Sequence, residues 1–118
     1  MFKNLEQLIK TIRERKNSSP DKSYTNKLLN DKSLSVEKVK EEIGELIEAV
    51  EKDSNKIHEA ADVIYHLMVY LEANNIKVED VMSELKKRQK WATIKIIYLQ
   101  KFSEEKFLVR KFLKTIMF

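Results

Sequence analysis

The sequence contains no cysteine, and it has a single glycine and a single proline among 118 residues. The absence of cysteine excludes disulfide bonds and thiolate metal sites, so any bound metal must be held by oxygen or imidazole ligands. The scarcity of turn residues, together with many Lys, Glu, Leu and Ile, indicates helices rather than strands. We therefore expect an all-α protein whose favoured metals are hard cations such as Mg²⁺ or Mn²⁺.

Long hydrophobic runs are also missing from the chain. No stretch approaches the roughly 20 apolar residues that a membrane-spanning helix needs, and Lys3, Glu6 and Lys10 interrupt the N-terminal segment in a way unlike a signal peptide. A chain of this length has room for one modest hydrophobic core. These features predict a cytoplasmic protein with no membrane partner.

The net charge of +4 comes from one end of the chain. Residues 1–88 carry 16 basic and 17 acidic side chains, whereas residues 89–118 carry 7 and 2. An argument for nucleic-acid binding from overall charge would concern only that C-terminal part, so we expect no nucleic-acid partner. We predict a helical domain at residues 1–90 and a basic, aromatic-rich helical extension at residues 91–118, with a helix that starts at Ser103.

Apolar periodicity predicts a bundle of about four helices in the main domain. The expected ranges are 4–16, 35–52, 56–73 and 77–90. Asn4 and Gln7 have the spacing of a capping box, and Ser35 is the predicted N-cap of the second helix. The apolar seam of that helix is expected to face the bundle core, and it consists of Val36, Val39, Ile43, Leu46, Ile47 and Val50.

Two pairs of acidic residues lie on neighbouring predicted helices. Glu42 and Glu45 are one turn apart beside the seam of the second helix, and Glu59 and Asp62 have the same spacing on the third. The third helix is apolar nearly all round, so we expect its acids to point into protein. Buried carboxylates are costly unless they are paired or bind a cation.

Taken alone, these acids are compatible with either a cation site or a solvated helix face, because Glu-rich helices are common. If they bind Mg²⁺, the natural reaction is hydrolysis of a phosphate ester or anhydride by a metal-activated water. A nearby carboxylate, Glu41 or Glu42, would take the proton of that water.

The polar segment Ser23–Lys27 supplies a second group of candidate residues. Its three hydroxyls and its lysine could hold phosphate or ribose oxygens. The same pattern also predicts a short capped helix that docks the following two leucines. The local pattern leaves both interpretations open.

The acids and the polar segment together resemble a known family. Glu42-x-x-Glu45, followed after thirteen residues by Glu59-x-x-Asp62, matches the signature of the all-α nucleoside-triphosphate pyrophosphohydrolase superfamily. Within it the chain resembles phosphoribosyl-ATP pyrophosphohydrolase, the second-step enzyme of histidine biosynthesis, through three pieces in the family's order. The pieces are Glu14-Arg15-Lys16 with the later Ser23-Tyr24-Thr25-x-Lys27-Leu28, Lys38-Val39-x-Glu41-Glu42-x-x-Glu45, and Glu59-Ala60-Ala61-Asp62-Val63-Ile64-Tyr65-His66-Leu67.

This resemblance implies a homodimeric helical bundle that hydrolyses phosphoribosyl-ATP to phosphoribosyl-AMP and pyrophosphate with magnesium. The implied metal ligands are Glu42, Glu45, Glu59 and Asp62. The implied substrate contacts are Ser23, Tyr24, Thr25, Lys27 and Lys38. His66 lies one turn beyond Asp62, where it is either a partner of that carboxylate or a core histidine.

Two alternative functions are compatible with the sequence. The run Gly44-Glu45-Leu46-Ile47-Glu48-Ala49 resembles the MazG-like branch, whose enzymes remove non-standard nucleoside triphosphates, and Lys40 stands where the phosphoribosyl-ATP family usually has glycine. The second alternative is a non-catalytic helical adaptor whose basic aromatic tail binds a partner.

Overall fold

The computed structural model describes the backbone of residues 1–101 and the side chains of residues 1–99, and this part of the chain is helical without a strand. Its elements are α1 (Lys3–Glu14), a 3-10 turn (Arg15–Asn17), α2 (Tyr24–Asn30), α3 (Lys32–Lys52), α4 (Lys56–Ala73) and α5 (Val78–Lys101). The prediction of an all-α protein is confirmed. The helix predicted from Ser103 lies outside the described residues.

The chain forms two compact units, one of residues 1–78 and one that begins at Glu79. The second unit contains nearly all of α5, which continues to Lys101. The predicted helix end at Lys90 is therefore wrong, because residues 91–101 contain neither glycine nor proline and nothing in them stops a helix. None of the described helices is both long enough and apolar enough to cross a membrane.

The first unit is built on the hairpin of α3 and α4. A turn at residues 53–55 joins the two helices, and Asp53 and Asn55 in it have left-handed φ values of 51° and 55°. Helices α1 and α2 pack against α4. The core residues are Ile12, Leu28 and Val69, surrounded by Leu8, Leu29, Leu34, Tyr65 and Met68.

The short helix α2 is held firmly at its N-terminal end. The Ser23 hydroxyl accepts a hydrogen bond from the Asn26 backbone amide and caps the helix. The buried Asn26 amide group donates to the carbonyls of Arg15 at 2.8 Å and Lys16 at 3.1 Å. Since Leu28 is buried in the core, the interpretation of this segment as a capped, docked helix is confirmed.

Two predicted helix starts are wrong. No side chain caps α1, and Asn4 lies inside the helix, so it forms no capping box with Gln7. Helix α3 begins earlier than predicted because Asp31 is its N-cap and accepts a hydrogen bond from the Leu34 amide at 3.0 Å. Ser35 is consequently a buried residue within the helix. The earlier cap adds one turn that packs Leu34 on the core.

The predicted α3 seam is only partly buried, and its half-buried members are Val36, Val39 and Leu46. Ile43, Ile47 and Val50 are exposed, whereas Glu42 and Ala49 on the same helix are buried. Helix α4 also exposes apolar residues, namely Ile57, Ile64 and Leu67, whereas its buried residues are His66, Val69 and Ala73. Helical periodicity fixes the angles between side chains but not the face against which α1 and α2 pack.

Candidate metal and substrate site

The structure brings the four predicted acids onto facing turns of α3 and α4. Glu42, Glu45 and Glu59 each offer a carboxylate oxygen, and these three oxygens lie within 4.8 Å of one another. Asp62 belongs to a second set with the same spacing, which contains Glu59 and His58. Glu59 therefore links two overlapping groups of ligand atoms.

Only Glu42 of these acids is buried, while Glu59 and Asp62 are half-buried and Glu45 is exposed. Glu42 is only 9% exposed, and one oxygen each of Glu42 and Glu59 is shielded from solvent without a hydrogen-bond partner. Within residues 1–99, no lysine or arginine forms an ion pair with Glu42, Glu45 or Glu59. An all-oxygen set with free lone pairs suits a hard divalent cation such as Mg²⁺ or Mn²⁺.

The electrostatics of the cluster agree with this shortage of positive charge. Burial raises the pKa of the Glu42 carboxyl above its ordinary value, and the neighbouring Glu45 raises it further. Burial also raises the pKa of Glu59, again with a smaller contribution from Glu45. The cluster therefore favours binding of a positive species, and protons and metal ions compete for it.

Two histidines lie beside the acids. The exposed His58, which the sequence reasoning missed, places its Nε2 atom 3.3 Å from Asp62 Oδ2. Its i, i+4 spacing from Asp62 is the signal that could have identified it. His66 does not bond the Asp62 carboxylate. Its Nδ1 atom donates to the backbone carbonyl of Asp62 at 2.8 Å, and the ring is buried, as expected for a core histidine.

The two candidate bases occupy different environments. Glu41 is exposed, and its Oε2 atom accepts a hydrogen bond from Lys38 Nζ at 2.9 Å. This hydrogen bond is the main reason that the pKa of Lys38 is raised. Glu42 lies in the acid cluster and has an oxygen without a partner. The structure thus separates Glu41 from the cluster and places Glu42 within it.

Helix α2 brings its first-turn hydroxyls against α4. The Tyr24 hydroxyl lies 3.4 Å from His66 Nε2, and the Thr25 hydroxyl is hydrogen-bonded to the Tyr65 hydroxyl. Partial burial raises the pKa of the Tyr24 phenol, while the charge of Lys38 opposes that rise. Tyr24 is about half exposed, so it presents an accessible edge beside Lys38.

The other two predicted substrate residues lie at the surface of the same helix. Ser23 is partly buried and uses its oxygen as the N-cap of α2, and Lys27 is exposed in the last turn. The hydroxyl proton of Ser23 is not used in capping, because the oxygen is the acceptor in that bond.

Comparison with known proteins places this geometry in a family. The model of the family "Phosphoribosyl-ATP pyrophosphohydrolase" matches residues 5–89, a range that contains the four acids and the Ser23–Lys27 segment. Proteins named phosphoribosyl-ATP pyrophosphatase are similar along most of their own length.

Three of these relatives illustrate the range of similarity. The protein of Clostridium acetobutylicum is 48% identical over 90 residues, which cover 71% of this chain and 79% of the relative. The protein of Cereibacter sphaeroides is 43% identical over 91 residues, which cover 72% of this chain and 85% of the relative. The protein of Dechloromonas aromatica is 39% identical over 88 residues, which cover 72% of this chain and 82% of the relative. No solved structure matches the chain significantly. The family match and these identities show that the chain belongs to the phosphoribosyl-ATP pyrophosphohydrolase family.

Proposed function

We propose that this protein hydrolyses phosphoribosyl-ATP to phosphoribosyl-AMP and pyrophosphate in the cytoplasm, as a step of histidine biosynthesis, with Mg²⁺ bound by Glu42, Glu45, Glu59 and Asp62. The reaction follows from membership of a family whose curated relatives carry the name phosphoribosyl-ATP pyrophosphatase. The observation that carries the metal proposal is the pair of shielded carboxylate oxygens, on Glu42 and Glu59, that lack a partner.

A bound Mg²⁺ would neutralise phosphate charge and make a water molecule more acidic. The chain itself supplies the group that takes the proton of that water. Glu42 suits this role better than Glu41 because one of its oxygens is free within the cluster, whereas Glu41 is engaged by Lys38.

The substrate would lie on the surface formed by α2 and the first half of α3, which we call the substrate edge. Lys38 supplies positive charge for the phosphates, and Lys27 adds a second exposed ammonium group. Ser23 retains a hydroxyl proton to donate to a phosphate oxygen, because its own oxygen serves the helix cap. Tyr24 and Thr25 complete the edge with hydroxyls that also contact α4.

We also propose that the protein is a homodimer, because both helices of the α3–α4 hairpin carry exposed apolar residues at helical spacing. Ile47 is 55% exposed and Ile57 is 88% exposed. The other members of this apolar face are Ile43, Val50, Ile64 and Leu67. Two copies of the hairpin packed face to face would form a four-helix bundle and bury the apolar face symmetrically.

The enzymatic proposal is tested by measuring pyrophosphate release from phosphoribosyl-ATP with Mg²⁺ and with excess chelator. We expect turnover only when the cation is present. The same assay with a panel of non-standard nucleoside triphosphates separates this function from that of the MazG-like branch. Faster release from those triphosphates than from phosphoribosyl-ATP would contradict the proposed substrate.

The dimer is tested by Ile47→Lys, which places a charge in the centre of the apolar face. We expect the molar mass from light scattering to fall from that of a dimer to that of a monomer. Glu48→Lys, at an exposed position that points away from the apolar face of the same helix, is the matched control and should stay dimeric. A monomeric wild-type protein at micromolar concentration would contradict the proposal.

A further inference from the structure

His66 connects the substrate edge with the acid cluster, although the proposed reaction gives it no role. The residue is 8% exposed. Its ring contacts Tyr24 of α2 and the backbone of Asp62, and its Nδ1 atom lies 4.0 Å from Glu42 Oε1. A buried imidazole between two functional groups of side chains can fix the orientation of either one.

For the neutral imidazole, the direction of each hydrogen bond around His66 follows from the chemistry of its partners. The Asp62 carbonyl can only accept, so the proton of a neutral imidazole must be on Nδ1. The Nε2 atom is then an acceptor. The Tyr24 hydroxyl, 3.4 Å away, therefore donates its proton to Nε2. Both lone pairs of the Tyr24 oxygen are left facing away from the histidine.

We propose that His66 is a positioning residue that fixes the Tyr24 hydroxyl as a hydrogen-bond acceptor, so that Tyr24 binds a sugar hydroxyl of the substrate and not a phosphate oxygen. A phosphate oxygen at neutral pH offers no proton, whereas a ribose hydroxyl can donate one. The identity of the substrate rests on the proposed function. The direction of the hydrogen bond between Tyr24 and His66 does not depend on which substrate the protein binds.

The packing around the ring holds it in the orientation that this direction requires. The Tyr65 ring lies edge-on to His66, with centroids 4.9 Å apart and an interplanar angle of 83°. The Tyr65 hydroxyl is bonded to Thr25, which ties the same ring to α2. Tyr24 also meets His66 edge-on, at 6.1 Å and 75°. The phosphates are then left to Lys38 and the Ser23 hydroxyl, and Tyr24 recognises the sugar.

The tautomer is tested without any substrate. Long-range proton–nitrogen NMR spectra at neutral pH distinguish a protonated from an unprotonated imidazole nitrogen, and the chain has only two histidines, of which His58 is the exposed reference. We expect His66 to be protonated at Nδ1 alone, and we expect Tyr24→Phe to shift its Nε2 resonance. A proton on Nε2, or no shift in the variant, would overturn the proposal.

The recognition of the sugar is tested by kinetics. We expect Tyr24→Phe and His66→Phe each to raise KM for phosphoribosyl-ATP by about threefold to tenfold, the range of one neutral hydrogen bond, with a smaller change in kcat. Because both act through one hydroxyl, the double variant should be no worse than either single variant. His66→Gln should restore much of the loss, since its amide oxygen can accept the tyrosine proton.

Inhibition by inorganic pyrophosphate separates sugar from phosphate contacts. Tyr24→Phe should leave the inhibition constant unchanged, whereas Lys38→Ala should weaken inhibition and so demonstrate that the assay responds. Equal weakening in Tyr24→Phe, or additive effects in the double variant, would overturn the inference. Circular dichroism checks the fold, and if His66→Phe fails to fold, the Tyr24→Phe results decide by themselves.

The two proposals fail in different ways. Absence of wild-type turnover of phosphoribosyl-ATP would refute the proposed function. Normal wild-type turnover, with an unchanged KM in both Tyr24→Phe and His66→Phe, would refute only the role of His66.

Discussion

Helix α4 carries acidic residues in two contrasting settings. Near its C-terminal end, Glu72 forms ion pairs with Arg13 of α1 and Lys16 of the 3-10 turn. Near its N-terminal end, Glu59 has a shielded oxygen without a partner and faces Glu42 and Glu45 across the hairpin. The same residue type on the same helix is neutralised by the chain at one end and left unneutralised at the other.

The difference separates an acid whose charge is neutralised within the fold from acids whose charge the described side chains leave without a lysine or arginine partner. Packing of α1 and the 3-10 turn onto α4 brings Arg13 and Lys16 to Glu72, so the folded chain itself neutralises this carboxylate. At the cluster no lysine or arginine among the described side chains supplies that compensation, so the repulsion between the carboxylates of Glu42, Glu45 and Glu59 remains in the folded chain. An uncompensated charge held in place by the fold indicates function.

The largest expected effect is that of Glu45→Gln, since Glu45 lies beside both Glu42 and Glu59. We expect Mg²⁺-dependent kcat/KM to fall by at least about a hundredfold, the effect of losing groups that support a metal site. We also expect Mg²⁺ to raise the Tm of the wild type but not that of this variant. Glu48→Gln, at an exposed position paired with Lys52 on the same helix, is the control and should keep full activity. If Glu45→Gln retains its activity, the acid cluster near the N-terminal end of α4 matters no more for catalysis than Glu72 near the other end.

A smaller effect is expected for Glu42→Gln in metal-free protein, and it is a gain in stability, whereas most substitutions of buried residues cause a loss. Because the folded state raises the pKa of Glu42, it holds the proton more tightly than the unfolded state, and stability falls as pH rises above the ordinary carboxyl value of 4.5. The amide carries no charge, so it removes both the cost of burying a charged group and the repulsion from Glu45. We expect Tm with chelator present to rise by several degrees at pH 7 and to change little at pH 4. A lower Tm at pH 7 would contradict the absence of a partner for Glu42.

The smallest effect, with the opposite sign, is expected for Glu72→Gln. This change removes the Glu72 carboxylate that contacts Arg13 and Lys16, and because both cations are more than a third exposed the loss should be only about 1 kcal/mol. Denaturant unfolding at pH 7 measures it, and the activity per folded molecule should be preserved. A gain in stability comparable with that of Glu42→Gln would show that the two ends of α4 do not differ.

Sequence patterns predicted the grouping of the acids better than they predicted the buried face of each helix. The i, i+3 spacing placed the four acids on two helices, and the predicted range 56–73 agrees with α4 because a polar turn precedes it and asparagines follow it. The start of α3 was missed because Asp31 and Ser35 are both good N-caps and the local pattern does not choose between them.

The orientation of the helices could not be read from the same patterns. Ile47 and Ile57 look like core residues because apolar stripes usually face the interior of the same chain. In this protein α1 and α2 pack on the side that carries Glu42 and His66, and the apolar stripe is left outside. The sequence shows that an apolar stripe exists, but it does not show whether the rest of the same chain packs against that stripe.

The buried Asn26 side chain determines how α2 can detach from the rest of the first unit. Its amide group holds the carbonyls of Arg15 and Lys16, and Lys16 in turn pairs with Glu72. The first turn of α2 is also bonded to α4 through Thr25 and Tyr65. Local opening of α2 therefore breaks its hydrogen bonds to the 3-10 turn and to α4 together. In hydrogen exchange, the backbone amides of α2 and of the 3-10 turn should exchange as one cooperative unit.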